Sequence, residues 1–302
     1  MLDDELLDHL QRGAFGYFAD EANHANGLVA DTSRTGSPAS IAVVGLALSV
    51  YPVAVERGWL TRDGAATRTL VTLRFFATSA QGSGANATGY KGFYYHFLDL
   101  ESGRRVWQCE VSPIDTSLLL AGALTAGSYF TGANATEAEI RALARELYER
   151  VDWEWATNGK PTVANGWKPE YGFLHYGWEG YNEAALLYVL GLAAPTHPLP
   201  AASYTAWTAT YQWERIYGRD LLYAGPLFIH QFSHAWIDFR GIRDSFMREK
   251  SSDYFENSCR AVEVQREYAR RDPQEYGTYG PEAWGLSAGD GPGWRTIRVR
   301  GR

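Results

Sequence analysis

The sequence has little cysteine. Cys109 and Cys259 are the only two in 302 residues. One disulfide is the arithmetical maximum, so no disulfide framework staples the fold, and there is no CxxC pair for redox or metal chemistry. Positive charge is also in short supply. The 28 Lys and Arg stand against 35 Asp and Glu, for a formal charge of −7. Such a chain gains no electrostatic attraction to nucleic acid or an anionic membrane. The N-terminus, MLDDELLDHLQRG, lacks the basic start and apolar run of a secretory signal. That absence points to the cytoplasm, or to the periplasm or exterior if the N-terminus is incomplete. No uninterrupted apolar stretch reaches ~18 residues, which argues against a membrane-spanning helix. Also missing are a GxSxG elbow, a Walker loop and a GxGxxG turn after a strand. No nucleotide, phosphate or serine-hydrolase signature therefore competes for the assignment, and no cofactor is expected.

Aromatic side chains, in contrast, are abundant. The chain holds 11 Trp, 19 Tyr and 13 Phe. Some must be core. An excess of this size also suits a sugar cleft, because pyranose C–H faces stack on rings whose edges carry a polar group. Hydrophobic residues make up 45% and charged residues 21%, enough for a sizeable core and too few charges for disorder.

Apolar periodicity predicts helices over 4–19, 38–56 (bent near Pro52), 61–78, 112–124, 136–151, 179–192, 202–212, 226–239 and 251–271. Thr136 and Glu139 read as a capping box. Between the third and fourth helices, alternation of Phe93, Tyr95 and Phe97, a turn at 101–103 and Val106-Trp107 predict a small β-hairpin insertion around 90–108. The Trp-, Tyr- and Gly-rich segment 153–178 reads as a structured loop. No linker, repeat or low-complexity tract divides the chain. The reading is one all-α domain, 1–302, of antiparallel helix pairs.

Three stretches carry candidate chemistry. In YGFLHYGWEGYNEAALLYVL (171–190), Glu179 and Glu183 are four apart at a predicted helix start, where like charges raise the proton affinity of one. Glycoside hydrolysis needs one protonated and one ionised carboxyl group. Tyr176, Trp178 and Tyr181 around them could form a sugar platform. A plain alternative is that acidic residues simply suit the first turn of a helix. In CEVSPIDTSLLL (109–120), Ser112 and Asp115 match an S-x-x-D cap. Asp115 is then either a structural cap or a carboxylate held rigidly at a cleft. Glu110 lies just outside and has no capping role. In GPLFIHQFSHAWIDFR (225–240), His230 and His234 have i, i+4 spacing, but Gln231 stands where a zinc-protease motif needs Glu. No metal is expected, and a hydrogen-bonding role in an aromatic cleft fits these histidines better.

Six blocks also resemble a known family. They are VYPVAVERGWLTR (50–62), VSPIDTSLLLAGALTAGSYF (111–130), YGFLHYGWEGYNEAALLYVLGLAAPTHPL (171–199), LFIHQFSHAWIDFRGIRD (227–244), DYFENSCRAVEVQREYA (253–269) and YGPEAWGLSAGDGP (279–292). Together they are similar to the glucoamylase-like (glycoamylase-like) domain family, which includes bacterial endo-β-1,2-glucanases and a domain of cyclic β-1,2-glucan synthases. The resemblance implies an (α/α)6 toroid and cofactor-free hydrolysis of β-1,2-glucan to short oligosaccharides by a monomer. It assigns Asp115 and Glu183 to the chemistry, Glu183 as proton donor and Asp115 as base, with Glu179 as substitute. It places Trp178, Tyr181, His234, Trp284 and Asp290 along the oligo- or polysaccharide, while Tyr176 and Glu110 are substrate-binding candidates by residue type and position, Glu110 being either a surface or a cleft residue. Family members run longer, and the basic end GWRTIRVRGR departs from their pattern. The expectation is thus a toroid incomplete at the C-terminus, from a truncated or frame-shifted product. Two other functions fit the same residues, transglycosylation and non-catalytic sugar binding.

Overall fold

The structure, a computed structural model, describes residues 3–287. Among these are nine α-helices: α1 (Asp3–Asp20), α2 (Ile41–Glu56), α3 (Arg62–Thr78), α4 (Pro113–Tyr129), α5 (Ala135–Glu149), α6 (Ala185–Ala193), α7 (Ala202–Thr208), α8 (Ser245–Glu249) and α9 (Tyr254–Arg271). Strands are short and always paired in antiparallel twos. The all-α fold class with a small hairpin insertion therefore stands. None of the described helices is long and apolar enough to cross a membrane. Contacts divide the chain into two units, Met1–Glu179 with Ala184–Trp207, and Gly180–Glu183 with Thr208–Arg302.

The first unit is built on α2 and α4. Both are apolar nearly all round, which is the pattern of helices buried on every side. They meet through glycine. A Cβ at Gly45 would lie 2.2 Å from the Leu118 carbonyl oxygen, and one at Gly122 would lie 2.0 Å from the Gly45 carbonyl oxygen. The two backbones are thus in van der Waals contact, and no side chain fits between them. α5 packs on both α3 and α4.

The cap of α5 differs from the predicted box. Asn134 is the cap, accepting from Glu137 N–H at 2.9 Å. Glu139 instead makes a two-pronged ion pair with Arg74, at 2.6 and 2.7 Å. Glu137 holds Arg62 in the same way, at 2.8 Å on each prong.

The hairpin insertion contains β2 (Gly89–Tyr90), β3 (Phe93–Tyr94) and β4 (Phe97–Leu98). Only β2 and β3 pair with each other. β4 pairs with β1 (Ala39–Ser40), which immediately precedes α2. Further on, β5 (Trp167–Lys168) and β6 (Gly172–Phe173) form a second ladder.

The second unit departs more from the sequence reading. The predicted helix at 226–239 is two 3-10 turns, Leu227–His230 and Phe232–Ala235. Ser258 Oγ donates to the His230 carbonyl at 2.6 Å, occupying the acceptor that an α-helix would offer to residue 234. The predicted helix at 202–212 stops at Thr208. After it, β7 (Trp213–Ile216) and β8 (Arg219–Leu222) form a hairpin across a Tyr217-Gly218 turn, with both residues left-handed. The helix predicted from 179 starts only at Ala185, because Gly180 has φ +74° and breaks any helical run. Glu179 and Glu183 therefore do not share a helix face.

Candidate active site

Val111 organises the site in the first unit. It bridges Tyr95 on one side and Trp167 on the other. The flanking bonds set the register: the His96 N–H donates to the Glu110 carbonyl and the Ser112 N–H to the Tyr94 carbonyl, both at 2.9 Å. α4 begins at the next residue, with Pro113 in its first turn, where no N–H is needed. Ser112 caps it, accepting from the Asp115 N–H at 3.3 Å. The predicted S-x-x-D cap is present.

Asp115 does more than cap. Its Oδ2 accepts from Ser112 Oγ at 2.5 Å and faces His96 Nε2 at 3.6 Å. The other ring nitrogen, His96 Nδ1, lies 3.1 Å from Glu110 Oε1. One imidazole thus bridges two carboxylates. Asp115 is buried, at 9% exposure, while His96 and Glu110 are half-buried.

The electrostatics follow from that arrangement. Burial raises the proton affinity of Asp115 above the ordinary carboxylate range, and the nearby His96 only partly offsets this. For Glu110 the balance is reversed. Burial would raise its pKa, but the His96 contact prevails and holds it below the usual value. Burial also opposes charge on His96, yet Glu110 and Asp115 together raise its pKa. Two carboxyl groups of unlike proton affinity sit on one histidine, which is the separation that acid–base chemistry requires. Donor atoms of all three residues lie within 4.8 Å of one another, so they could in principle surround a cation. Both imidazole nitrogens already face carboxylates, however, and a cation would have to displace that bridge.

The other candidates of this unit lie on the 163–179 segment. Trp178 is half-buried, its backbone held by Val163 and Tyr188 at 2.8 Å each. Tyr176 is 76% exposed, its ring edge-on to His175 and its carbonyl accepting from the Asn165 N–H at 3.0 Å. Glu179 is exposed and accepts from Thr162 Oγ1 at 3.1 Å.

In the second unit, Tyr181 is the hub of an aromatic cluster. Its ring centroid is 5.2 Å from His230, 5.8 Å from Tyr211 and 6.1 Å from Tyr254. Burial raises its hydroxyl pKa, while Asn257 and Ser258 pull it the other way. Buried His230 places Nε2 3.1 Å from the Ala224 carbonyl and Nδ1 3.4 Å from the Asn257 amide. Both nitrogens are engaged, and burial lowers its pKa to about 4. His234 Nε2 lies 3.0 Å from Ser258 Oγ. This pair thus behaves as neutral hydrogen-bonding histidines. Glu183 is half-buried, two residues ahead of α6. Trp284 is partly exposed, with the Arg266 guanidinium 5.5 Å from its ring centre. Asp290 lies outside the described residues.

Comparisons with known proteins point the same way. A family model described as "Putative glucoamylase" matches residues 175–298. A solved structure of the same description, from Bacteroides uniformis, superposes with a TM-score of 0.88 at 29% identity, over 97% of this chain and 72% of that one. Over residues 175–298 the chain is thus similar to glucoamylase-like proteins, and its fold matches theirs along nearly its whole length. An endo-β-1,2-glucanase from Chitinophaga pinensis, solved with sophorotriose and glucose, matches with a TM-score of 0.84 at 25% identity, over 95% of this chain and 71% of that one. An exo-β-1,2-glucooligosaccharide sophorohydrolase of Parabacteroides distasonis is 26% identical over 96% of this chain. The chain spans 43% of the length of that curated relative.

Two features of the chain are not evident from sequence alone. His96, the bridge between the carboxylates, sits in an aromatic run, FYYHF, where a polar residue among alternating rings was the available signal. Trp107, 69% exposed on a left-handed backbone, was read only as part of the hairpin.

Proposed function

We propose that the chain is a glycoside hydrolase of β-glucan, acting most specifically by endo-hydrolysis of β-1,2-glucan to short oligosaccharides. The observation that carries this reading is the His96 bridge, with Asp115 at 3.6 Å and Glu110 at 3.1 Å. Its raised proton affinity makes Asp115 a stronger base than an ordinary carboxylate while it remains ionised above that pKa. In the proposed reaction Asp115 takes a proton from water, directly or through an intervening hydroxyl. The water attacks the anomeric carbon, and Glu183, the motif's proton donor, protonates the departing glycosidic oxygen. His96 orients Asp115 and links it to Glu110, and Ser112 donates a short hydrogen bond to the same Asp115 Oδ2 that faces the imidazole. Trp178, Tyr181 and Tyr176 are the proposed sugar platforms.

The similarity to an endo-β-1,2-glucanase and to an exo-acting sophorohydrolase supports the linkage and leaves the mode to experiment. Residues 1–302 acting as one catalytic domain, as a monomer, are part of the same proposal. The test is incubation with linear β-1,2-glucan, β-1,3-glucan and starch, with chromatography of the products. Mixed short oligosaccharides from β-1,2-glucan alone support the endo reading. A single disaccharide product moves it to the exo mode, and no product from any substrate defeats it.

A further inference from the structure

Residues 106–109 form a tight turn whose two central residues are Trp107, φ +54°, and Gln108, φ +49°. The Cys109 N–H closes it on the Val106 carbonyl at 3.0 Å. Two successive left-handed residues define the turn type that Asn-Gly or Gly-Gly normally fills. A bulky Trp there is a backbone outlier, held because its surroundings leave no alternative. Those surroundings are specific. The Arg105 guanidinium donates to the Cys109 carbonyl at 2.6 Å, the Val106 N–H to the Phe97 carbonyl at 3.2 Å, and Cys109 Sγ to the same carbonyl at 3.3 Å.

The strain does not serve the core, because Trp107 is 69% exposed. Its ring meets Phe97, 5.2 Å away between centroids, and Phe97 stacks flat on His96 at 3.8 Å and 16°. An exposed indole, a phenyl ring and the carboxylate-bridging imidazole thus form a continuous rail. Beside Trp107 opens a cavity of about 520 Å³, which falls in the usual ligand range. Its walls pair the indole with polar groups, among them Ser33, Arg34, Thr35, Asp99 and Glu101. One apolar platform with a rim of hydroxyl, guanidinium and carboxylate groups matches a pyranose, which offers a C–H face and hydroxyl edges.

We propose that Trp107 is the stacking residue of a glucosyl subsite in this cavity, continuous with the His96–Glu110–Asp115 cluster. The subsite deepens the β-glucan reading and rests on it for the identity of the sugar. Its occupant is a neutral glucosyl unit of the same chain that reaches Asp115. The backbone strain is then the means of holding an indole upright in solvent.

The test uses the full chain with sophorotriose and linear β-1,2-glucan as probes. Trp107→Gly removes the ring and suits the left-handed backbone, so its melting temperature should hold or rise. Its Kd for sophorotriose and its KM for the glucan should rise roughly ten-fold, with kcat changed much less, in line with the cost of losing one ring-stacking contact. Trp107→Phe should recover most of the loss. Unchanged Kd and KM in Trp107→Gly overturn the subsite while leaving the hydrolase reading intact. A chain that binds sophorotriose through Trp107 but cleaves no glucan keeps the subsite and defeats the hydrolase. Affinity lost together with melting temperature, and not recovered by Phe, marks the ring as structural and overturns the proposal.

Discussion

The two units each hold a histidine in a polar network, half-buried His96 and buried His230, and the two behave oppositely. His96 faces Glu110 and Asp115, and its proton affinity rises. His230 faces a backbone carbonyl and an amide, and its pKa falls to about 4. Burial acts in the same direction on both. What differs is the formal charge of the partners, so the neighbours decide whether a histidine's proton affinity rises or falls. The first arrangement joins titratable groups that can exchange protons. The second fixes tautomer and packing.

The contrast can be broken most forcefully at Asp115. If the charged cluster carries the chemistry, Asp115→Asn should lower the rate of β-1,2-glucan cleavage about 10³-fold. Its unfolding midpoint should stay close to the parent's. Product release against time measures the first and thermal melting the second. Retained turnover would reduce Asp115 to a helix cap.

The next largest effect concerns the neutral histidine. An unfolded His230 takes up a proton near its ordinary pKa of 6.5, while the folded one resists until about 4. Stability should therefore be complete above pH 6.5, decline as the pH falls, and lose about 3 kcal/mol by pH 4. Denaturant unfolding at pH 7 and pH 4 measures the loss. His230→Gln should abolish much of that slope while costing stability at neutral pH, because it disturbs the Ala224 and Asn257 partners.

A smaller loss is expected where the first unit's scaffold is tightest. Gly122→Ala should cost about 2 kcal/mol by urea unfolding, since its Cβ would meet the Gly45 carbonyl. The matching change at an open helical glycine, Gly13, which has nothing within 4 Å, should instead stabilise through the better helix propensity of Ala, and an equal cost there would show that crowding is not the cause at Gly122.

The subtlest outcome sharpens the comparison itself. His96 has a raised folded pKa, so its stabilisation is present below the usual histidine range and is lost as pH rises through the folded value. That slope is opposite to His230's. His96→Gln should remove it. The same variant deletes the positive neighbour that partly restrains Asp115, so the acid limb of the pH profile of the proposed glucan cleavage should move to higher pH. A limb that stays in place would separate His96 from the chemistry.

The helical scaffold was legible because apolar periodicity is local. The bodies of α1 to α5 and α9 follow their periodic apolar positions, and Ser112 announced its helix by a cap three residues from Asp115. Departures came where a distant group intervened. Ser258 takes the His230 carbonyl and turns a predicted helix into 3-10 turns. Gly180 interrupts the run that would have put Glu179 and Glu183 on one face. Asp115 and Glu110 could be nominated by residue type and position. Their joining by His96 could not, because it depends on strand register between Tyr94–His96 and Glu110–Ser112, which two-residue ladders do not write into a pattern.

The glycine contact between α2 and α4 bears on how this protein can change over evolutionary time. A helix pair with no slack between its backbones offers few neutral substitutions, and every residue carried on the first turn of α4 inherits that rigidity. Asp115 is therefore a poor place to explore new activities. The loop from Ser33 to Ser37 and the exposed positions around Glu101 touch none of this contact and tolerate more change than Gly103, Arg105 or Trp107, which are held in place. New substrate preferences in descendants of this chain should accumulate at those tolerant positions, while the helix that presents Asp115 stays unaltered.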